Sequence, residues 1–319
     1  VLRAGPGSKI IVTGADGFVG RVLVARLVAE GARVVGVDRA LQPRPGMEAI
    51  CGDLTDAAVL HRAFTDGCDA VIHLATVPGG AAEQDPAAAR RTNVEATMAL
   101  AEIAAKSGQC PKFIFASSIA VFGAPLPADG VDDTTPLAPH MLYGAHKAMI
   151  EQWVATLSRR GEIDGLSLRL PGIVARPAAA SGMKSAFMSD VFHAVRAGTP
   201  FVSPVSPDAT MWILSVQAAA AALAQALHPM MPLPLTRAIT LPALRVSMRA
   251  LVDEIARQCG RDPGVVSYRP DAALEAAFGT QPALSTAAAD RLGFVHDGTL
   301  EQLVAAALTT LAPTEGHAP

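Results

Sequence analysis

The stretch from Lys9 to Gly20, K-I-I-V-T-G-A-D-G-F-V-G, narrows the possible folds of this chain more than any other. An apolar run, Ile10 to Val12, meets Gly14, Gly17 and Gly20, after which R-V-L-V-A-R-L-V-A has the pattern of a helix. Strand, glycine turn and helix in that order open a βαβ unit. The first glycine permits a tight turn, the second lets a pyrophosphate approach the backbone, and the third lets helix and strand pack closely. The N–H groups and dipole at the helix start then favour a phosphate. The spacing is G-x-x-G-x-x-G rather than G-x-G-x-x-G, and glycines mark turns everywhere. Their position between strand and helix is what carries the reading.

The pattern that follows keeps alternating. Runs at 9–13, 33–37, 48–51, 69–74, 112–117 and 165–170 read as strands, with helices including 20–30, 56–65, 86–107 and 143–160 between them. Such alternation implies a parallel sheet with right-handed crossovers, a Rossmann-type doubly wound α/β fold. Residues 1–170 then form a nucleotide-binding domain carrying the catalytic groups. Residues 171–319 form mainly a smaller, discontinuous substrate-binding lobe, with some segments returning to the first domain. In that lobe 245–259 reads as a helix and V-V-S-Y-R-P as a strand after it. Pro127, Pro136 and Pro139, with Asp129, Asp132 and Asp133, mark a loop that either covers the site or simply connects.

The strand A-R-V-V-G-V-D places Asp38 eighteen residues after Gly20. A carboxylate there can accept hydrogen bonds from both hydroxyls of an adenosine ribose, and it repels the additional phosphate of NADP, which favours NAD. Arg39 reads as a solvated loop charge, the alternative being a partner for a 2′-phosphate. Asp53 and Leu54 follow the third strand as adenine contacts; the competing role is a helix N-cap at Asp53 or Asp56. Ligands of open parallel sheets lie beyond the carboxyl ends of the strands, which makes Leu74, Ala75 and Thr76 cofactor neighbours by position. His73 reads as a packed strand residue, because no cluster at metal spacing accompanies it and no metal is expected.

Further on, S-S-I-A-V-F-G and Y-G-A-H-K bring together Ser118, Tyr143 and Lys147. Tyr143 and Lys147 stand four apart and share a helix face. A neighbouring ammonium favours the phenolate and lowers a phenol pKa that is otherwise about 10. The Ser118 hydroxyl can hold a substrate oxygen while the phenol passes a proton. Alcohol–ketone interconversion needs these groups and a hydride carrier. After Pro171, Arg176 and Lys184 are possible anion contacts, with Lys184 equally readable as a solvated side chain. Met183 and Met188 near Phe187, and Tyr268, read as packing residues.

The chain is long enough, at 319 residues, for one or two domains with a substantial core. A net charge of −3 and the lack of basic, aromatic-interleaved runs give no reason to expect nucleic acid. Hydrophobic residues make up 50% of the chain, but charges and prolines break every apolar run short of a membrane span. The opening V-L-R-A-G-P-G-S-K reads as a disordered lead without a signal-peptide core. Cys51, Cys68, Cys110 and Cys259 are scattered, which suits a reduced, cytoplasmic setting.

Five motifs in order, T-G-A-D-G-F-V-G, D-L-T-D, H-L-A with N-V-E-A-T from Asn93, S-S-I-A-V-F-G and Y-G-A-H-K, resemble the extended short-chain dehydrogenase/reductase family, in its nucleotide-sugar epimerase/dehydratase branch. The resemblance implies Ser118, Tyr143 and Lys147 as the catalytic trio, with Lys147 also holding a ribose hydroxyl. It implies cofactor contacts at Gly14, Gly17, Phe18, Val19 and Gly20, at Asp38, at Asp53 and Leu54, and at Leu74, Ala75 and Thr76. Asn93, Tyr143, Lys147, Pro171 and Ile173 complete that set. Substrate contacts fall on Ser118, Tyr143, Arg176, Lys184 and Trp212. It also implies a homodimer, formed by helices 86–107 and 143–160 pairing across a two-fold axis.

A narrower similarity, through F-A-S-S-I-A-V-F-G-A-P-L-P, the run from Ser158 to Pro177 and P-D-A-T-M-W-I-L-S, is to D-erythronate dehydrogenases, which use NAD to oxidise a four-carbon sugar acid at C2. The alternative activity is a nucleotide-sugar epimerase or dehydratase with tightly bound NAD. Two departures stand out. Phe122 replaces the usual Tyr, and Thr210 stands where both groups commonly carry an Arg, two residues before Trp212. An Arg fork suits a phosphate or carboxylate, so Thr210 removes one anion anchor and leaves the chemistry in place.

Overall fold

A computed structural model describes residues 7–107, 110–177, 184–228 and 231–311; Met183 and most of the lead before β1 lie outside them. The first half runs β1 (Lys9–Thr13), α1 (Phe18–Ala29), β2 (Arg33–Asp38), β3 (Met47–Cys51), α2 (Ala57–Ala63), β4 (Ala70–His73), α3 (Gly79–Gln84), α4 (Pro86–Arg90), α5 (Ala96–Lys106), β5 (Lys112–Ser118), α6 (Leu142–Arg159) and β6 (Asp164–Leu170). The second half runs β7 (Gly172–Val174), α7 (Phe187–Ala197), β8 (Phe201–Ser203), β9 (Thr210–Ser215), α8 (Val216–Gln225), β10 (Ala238–Thr240), β11 (Leu244–Ser247), α9 (Met248–Cys259), β12 (Val266–Tyr268), α10 (Ala272–Phe278), α11 (Ala287–Arg291) and α12 (Leu300–Leu311).

Seven strands form one parallel sheet in the order β10-β6-β5-β4-β1-β2-β3. β1 and β4 are buried along their whole length, as continuous apolar runs covered on both faces must be. One core layer packs α1 and α8 on the sheet; the other packs α2, α5 and α6 on the opposite face. The chain therefore returns to the sheet after Pro171: α8 lies against α1, and β10 pairs with β6 with Ala238 opposite Ser167.

A second body gathers β7, β9 and β11 into a three-stranded sheet, with α7, α9 and α12 closing an apolar core around Phe192, Met211 and Leu251. β8 and β12 pair at its margin. α9 begins at Ser247, whose hydroxyl caps Ala250 N–H, and ends at Gly260 in the left-handed region, φ 60°.

The expected helix over 86–107 is α4 and α5 joined by a single π turn, Arg91–Glu95. Among the described residues no helix is long and apolar enough to cross a membrane.

Candidate active site

The glycine turn leaves the sheet at Gly14, which has φ 70° and lies so close to β4 that a Cβ there would stand 2.8 Å from Ala75 N. Gly20 is tighter, since its Cβ would meet Gly14 O at 2.0 Å. Only backbone without side chains can make this crossing. Two of the longer helices start with a side-chain cap, Ser215 for α8 and Ser247 for α9. α1 starts at Gly17 without one. Its first N–H groups thus stay available to an anion.

At the end of β2, Asp38 faces the same turn. Its Oδ1 accepts from Arg39 N–H (2.7 Å) and its Oδ2 from Asp16 N–H (3.0 Å). Asp16 is held by Arg21 (3.0 Å) and by Arg44. Asp53 accepts from Thr55 N–H (2.9 Å) and the Thr55 hydroxyl (2.8 Å), which holds its carboxyl below the usual range. The N-cap of α2 is Asp56, through Ala58 N–H at 2.8 Å.

One cavity of about 520 Å³ runs from this turn to the second body. Gly14, Gly17, Phe18, Val19, Gly20, Asp38, Arg39, Asp53, Leu54, Leu74, Ala75 and Thr76 line its first half, and Ser118, Tyr143, Lys147, Pro171, Ile173, Arg176, Lys184, Met188 and Trp212 its second. The open glycine backbone, the uncapped helix and the carboxylate at the end of β2 fit a dinucleotide.

Asn93 is the predicted contact that does not reach the wall. It is 4% exposed, and its amide is held on both sides by Val77, accepting from N–H (2.7 Å) and donating to C=O (2.9 Å). The π turn swings Asn93 inward onto the loop that carries Thr76, which donates to it at 3.1 Å. Its place is behind the wall, shaping the loop.

The second half of the cavity rests on three elements. Ser118 closes β5, and its Oγ accepts from Ala120 N–H at 3.2 Å. Tyr143 stands in the first turn of α6, whose start is capped from α3 by Glu83 accepting from Leu142 N–H (2.8 Å). Lys147 is buried one turn on and donates to Ala116 O (2.7 Å), with Nζ 4.6 Å from the Phe115 ring centre and 5.5 Å from that of Tyr143. Burial pushes Lys147 down to about 7, opposed by Glu151. Burial raises the Tyr143 phenol, while the Arg176 charge and the Ser118 hydroxyl pull it back. The spacing of Tyr143 and Lys147 suggested Lys147 as the cation that lowers the phenol. The charge that pulls the phenol down is that of Arg176, which lines the same cavity, while the Lys147 ammonium is turned onto the Ala116 carbonyl.

Beneath Lys147, Glu151 and Arg169 form a buried bidentate pair (3.0 and 2.8 Å), and Ser117 donates to Glu151 at 2.5 Å. Arg169 lies over the Phe122 ring, 5.0 Å from its centre. Phe122 thus serves as a packing face rather than a hydroxyl donor. His73 is fully enclosed between Thr13 (2.6 Å) and Thr97 (2.8 Å), and burial pushes it down to about 3, so it stays a neutral strand residue. No cluster of three metal-ligating side chains occurs among the described residues.

Sequence reasoning missed the far wall. Ala277, Phe278 and Gln281, at the end of α10 and beyond, line the cavity beside Trp212. No local pattern announces them, since their contact with β9 spans about seventy residues of chain.

The epimerase model, described as the NAD dependent epimerase/dehydratase family, matches residues 10–228. A D-erythronate dehydrogenase from Cupriavidus necator is 33% identical over 93% of this chain and 97% of its own length. A second, from Haemophilus influenzae, is 32% identical over 79% and 82%. Among solved structures, a nucleoside-diphosphate-sugar epimerase from Agrobacterium tumefaciens superposes with a TM-score of 0.84 at 27% identity, covering 95% of this chain and 94% of that one. With the family match spanning the glycine turn, the parallel sheet and the Ser118–Tyr143–Lys147 segment, the chain belongs to the NAD-dependent epimerase/dehydratase family, the extended short-chain dehydrogenases.

Proposed function

We propose that this protein is an NAD-dependent dehydrogenase that oxidises a small sugar acid resembling D-erythronate at C2. The observation that carries the reading is Arg176 lining the same cavity as Ser118 and Tyr143, where its charge draws the phenol down against burial. In a 2-hydroxy acid the carboxylate is bonded directly to the reacting carbon. A cation next to the catalytic phenol is therefore where that carboxylate belongs, and a guanidinium fork suits it. The likeness to two D-erythronate dehydrogenases supports the same substrate class.

Residues 1–170 hold the cofactor and the catalytic groups, and 171–319 hold mainly the substrate. Tyr143, as phenolate, takes the hydroxyl proton. Ser118 donates a hydrogen bond to the same oxygen and keeps it there as the carbonyl forms. The glycine turn and Asp38 would hold NAD, which when bound would supply the acceptor for the C2 hydride. Lys147, placed between the Ala116 carbonyl and the Tyr143 ring, is suited to hold a ribose hydroxyl. Asp38, already drawing on two backbone N–H groups, favours NAD over the additional phosphate of NADP.

The test is nicotinamide reduction with NAD or NADP against four-carbon sugar acids, beside Tyr143→Phe. Turnover of D-erythronate with NAD is expected, with a fall of about 10²–10⁴-fold in the variant and near-normal NAD binding. Unchanged turnover in Tyr143→Phe refutes its role. Silence across the panel, in a protein that binds NAD, points instead to redox-neutral nucleotide-sugar chemistry.

A further inference from the structure

The place expected to carry an anion-binding Arg is closed off by another part of the chain. Thr210 N–H donates to Gly279 O (2.7 Å), Gln281 N–H donates back to Thr210 O (3.1 Å), and the Thr210 hydroxyl donates to Gln281 O (2.8 Å). Arg245, from β11, donates its Nε to that same Gln281 carbonyl at 2.7 Å. The Trp212 indole donates to Pro282 O at 2.8 Å. Residues 279–282 are thus pinned along β9 as a strap.

This strap fixes the Gln281 side chain. Its Oε1 accepts from the backbone N–H of Trp212, a donor that can face only the oxygen of the amide. The amide NH₂ is thereby turned away from β9. Gln281 is 6% exposed and lines the cavity, and among the described residues its NH₂ donates to nothing. The wall around it, Trp212 and Phe278, is apolar. A nearly buried neutral donor on an apolar wall is built for a neutral acceptor.

We propose that Gln281 is a specificity-determining residue whose amide N–H groups receive the terminal hydroxyl of the substrate. The assignment rests on the dehydrogenase reading, which puts the carboxylate at Arg176. The reacting carbon is bonded to that carboxylate, so the rest of the substrate extends away from Arg176. Trp212, Phe278 and Gln281 then receive C3 and C4. A site that hydrogen-bonds a substrate hydroxyl discriminates against the analogue lacking it, because its own buried donor is left unpaired.

The experiment compares D-erythronate with its 4-deoxy analogue in the full chain with NAD. It reads both NADH formation and binding by quenching of Trp212 fluorescence in a Trp153→Phe background. The expected preference for D-erythronate is about two- to twelvefold in kcat/KM, the worth of one neutral hydrogen bond. Q281L and Q281M should both bring that ratio close to one. Q281M keeps the length of the Gln side chain and a weak sulfur acceptor for Trp212 N–H without the amide donors, so it decides the matter should Q281L not fold. A ratio unchanged in the folded variants, or a wild type that treats both acids alike, overturns the assignment of Gln281 and leaves the dehydrogenase standing. A wild type that neither binds nor oxidises either acid overturns both.

Discussion

As the proposed base, Tyr143 must lose a proton before it can accept one, and its surroundings pull in opposite directions. Burial raises the phenol, and the Arg176 guanidinium lowers it. Oxidation should therefore gain rate as pH rises through the Tyr143 ionisation. Arg176→Met removes the opposing charge, so the phenol pKa climbs and the rising limb of kcat moves to higher pH, with KM for the acid also increased. A limb that stays in place while only KM changes would mean that Arg176 binds substrate without acting on the base. At this scale much was legible: residue type and spacing single out Ser118, Tyr143 and Lys147, and the structure brings all three to one cavity. What spacing cannot show is where a flexible ammonium ends up. Lys147 reaches the Ala116 carbonyl across to β5, a contact thirty-one residues away in the chain.

The elements that place these groups differ in how openly they declare themselves. β1, β2, β4 and β5 are short apolar runs bounded by turns, and they fall within a residue or so of where the pattern puts them. The π turn at Arg91–Glu95 has no such signature, since its extra residue per turn leaves the Ala-rich periodicity almost unchanged. The resemblance puts Asn93 at the cofactor; the structure holds its amide on Val77, behind the cavity wall. The glycine turn is the element with the least tolerance. A methyl at Gly20 would press on Gly14 O at 2.0 Å, backbone against backbone, with no side chain to move aside. Gly20→Ala should lower stability by about 1–3 kcal/mol and weaken NAD binding together. Urea denaturation and a nucleotide titration check it; a variant with unchanged stability and affinity would show that the turn can open without penalty.

For the whole molecule, the outer faces of α5 and α6 are the surface to watch. Met149 is 55% exposed, and Met98, Ile103 and Trp153 are only partly covered by the core beneath them. We expect these two helices to pair with those of a second copy, and Met149→Glu to convert the dimer into a monomer in light scattering at micromolar concentration. A wild type that is already monomeric removes this expectation. The same view gives the strand order a meaning for how the protein is made. β6, with Arg169 of the buried ion pair, has β5 on one side and only β10 on the other, and β10 begins at Ala238. During synthesis the sheet stays one strand short until the chain beyond Ala238 has left the ribosome. Until then the bare N–H and C=O groups along β6 are an adhesive margin that a neighbouring nascent chain could extend.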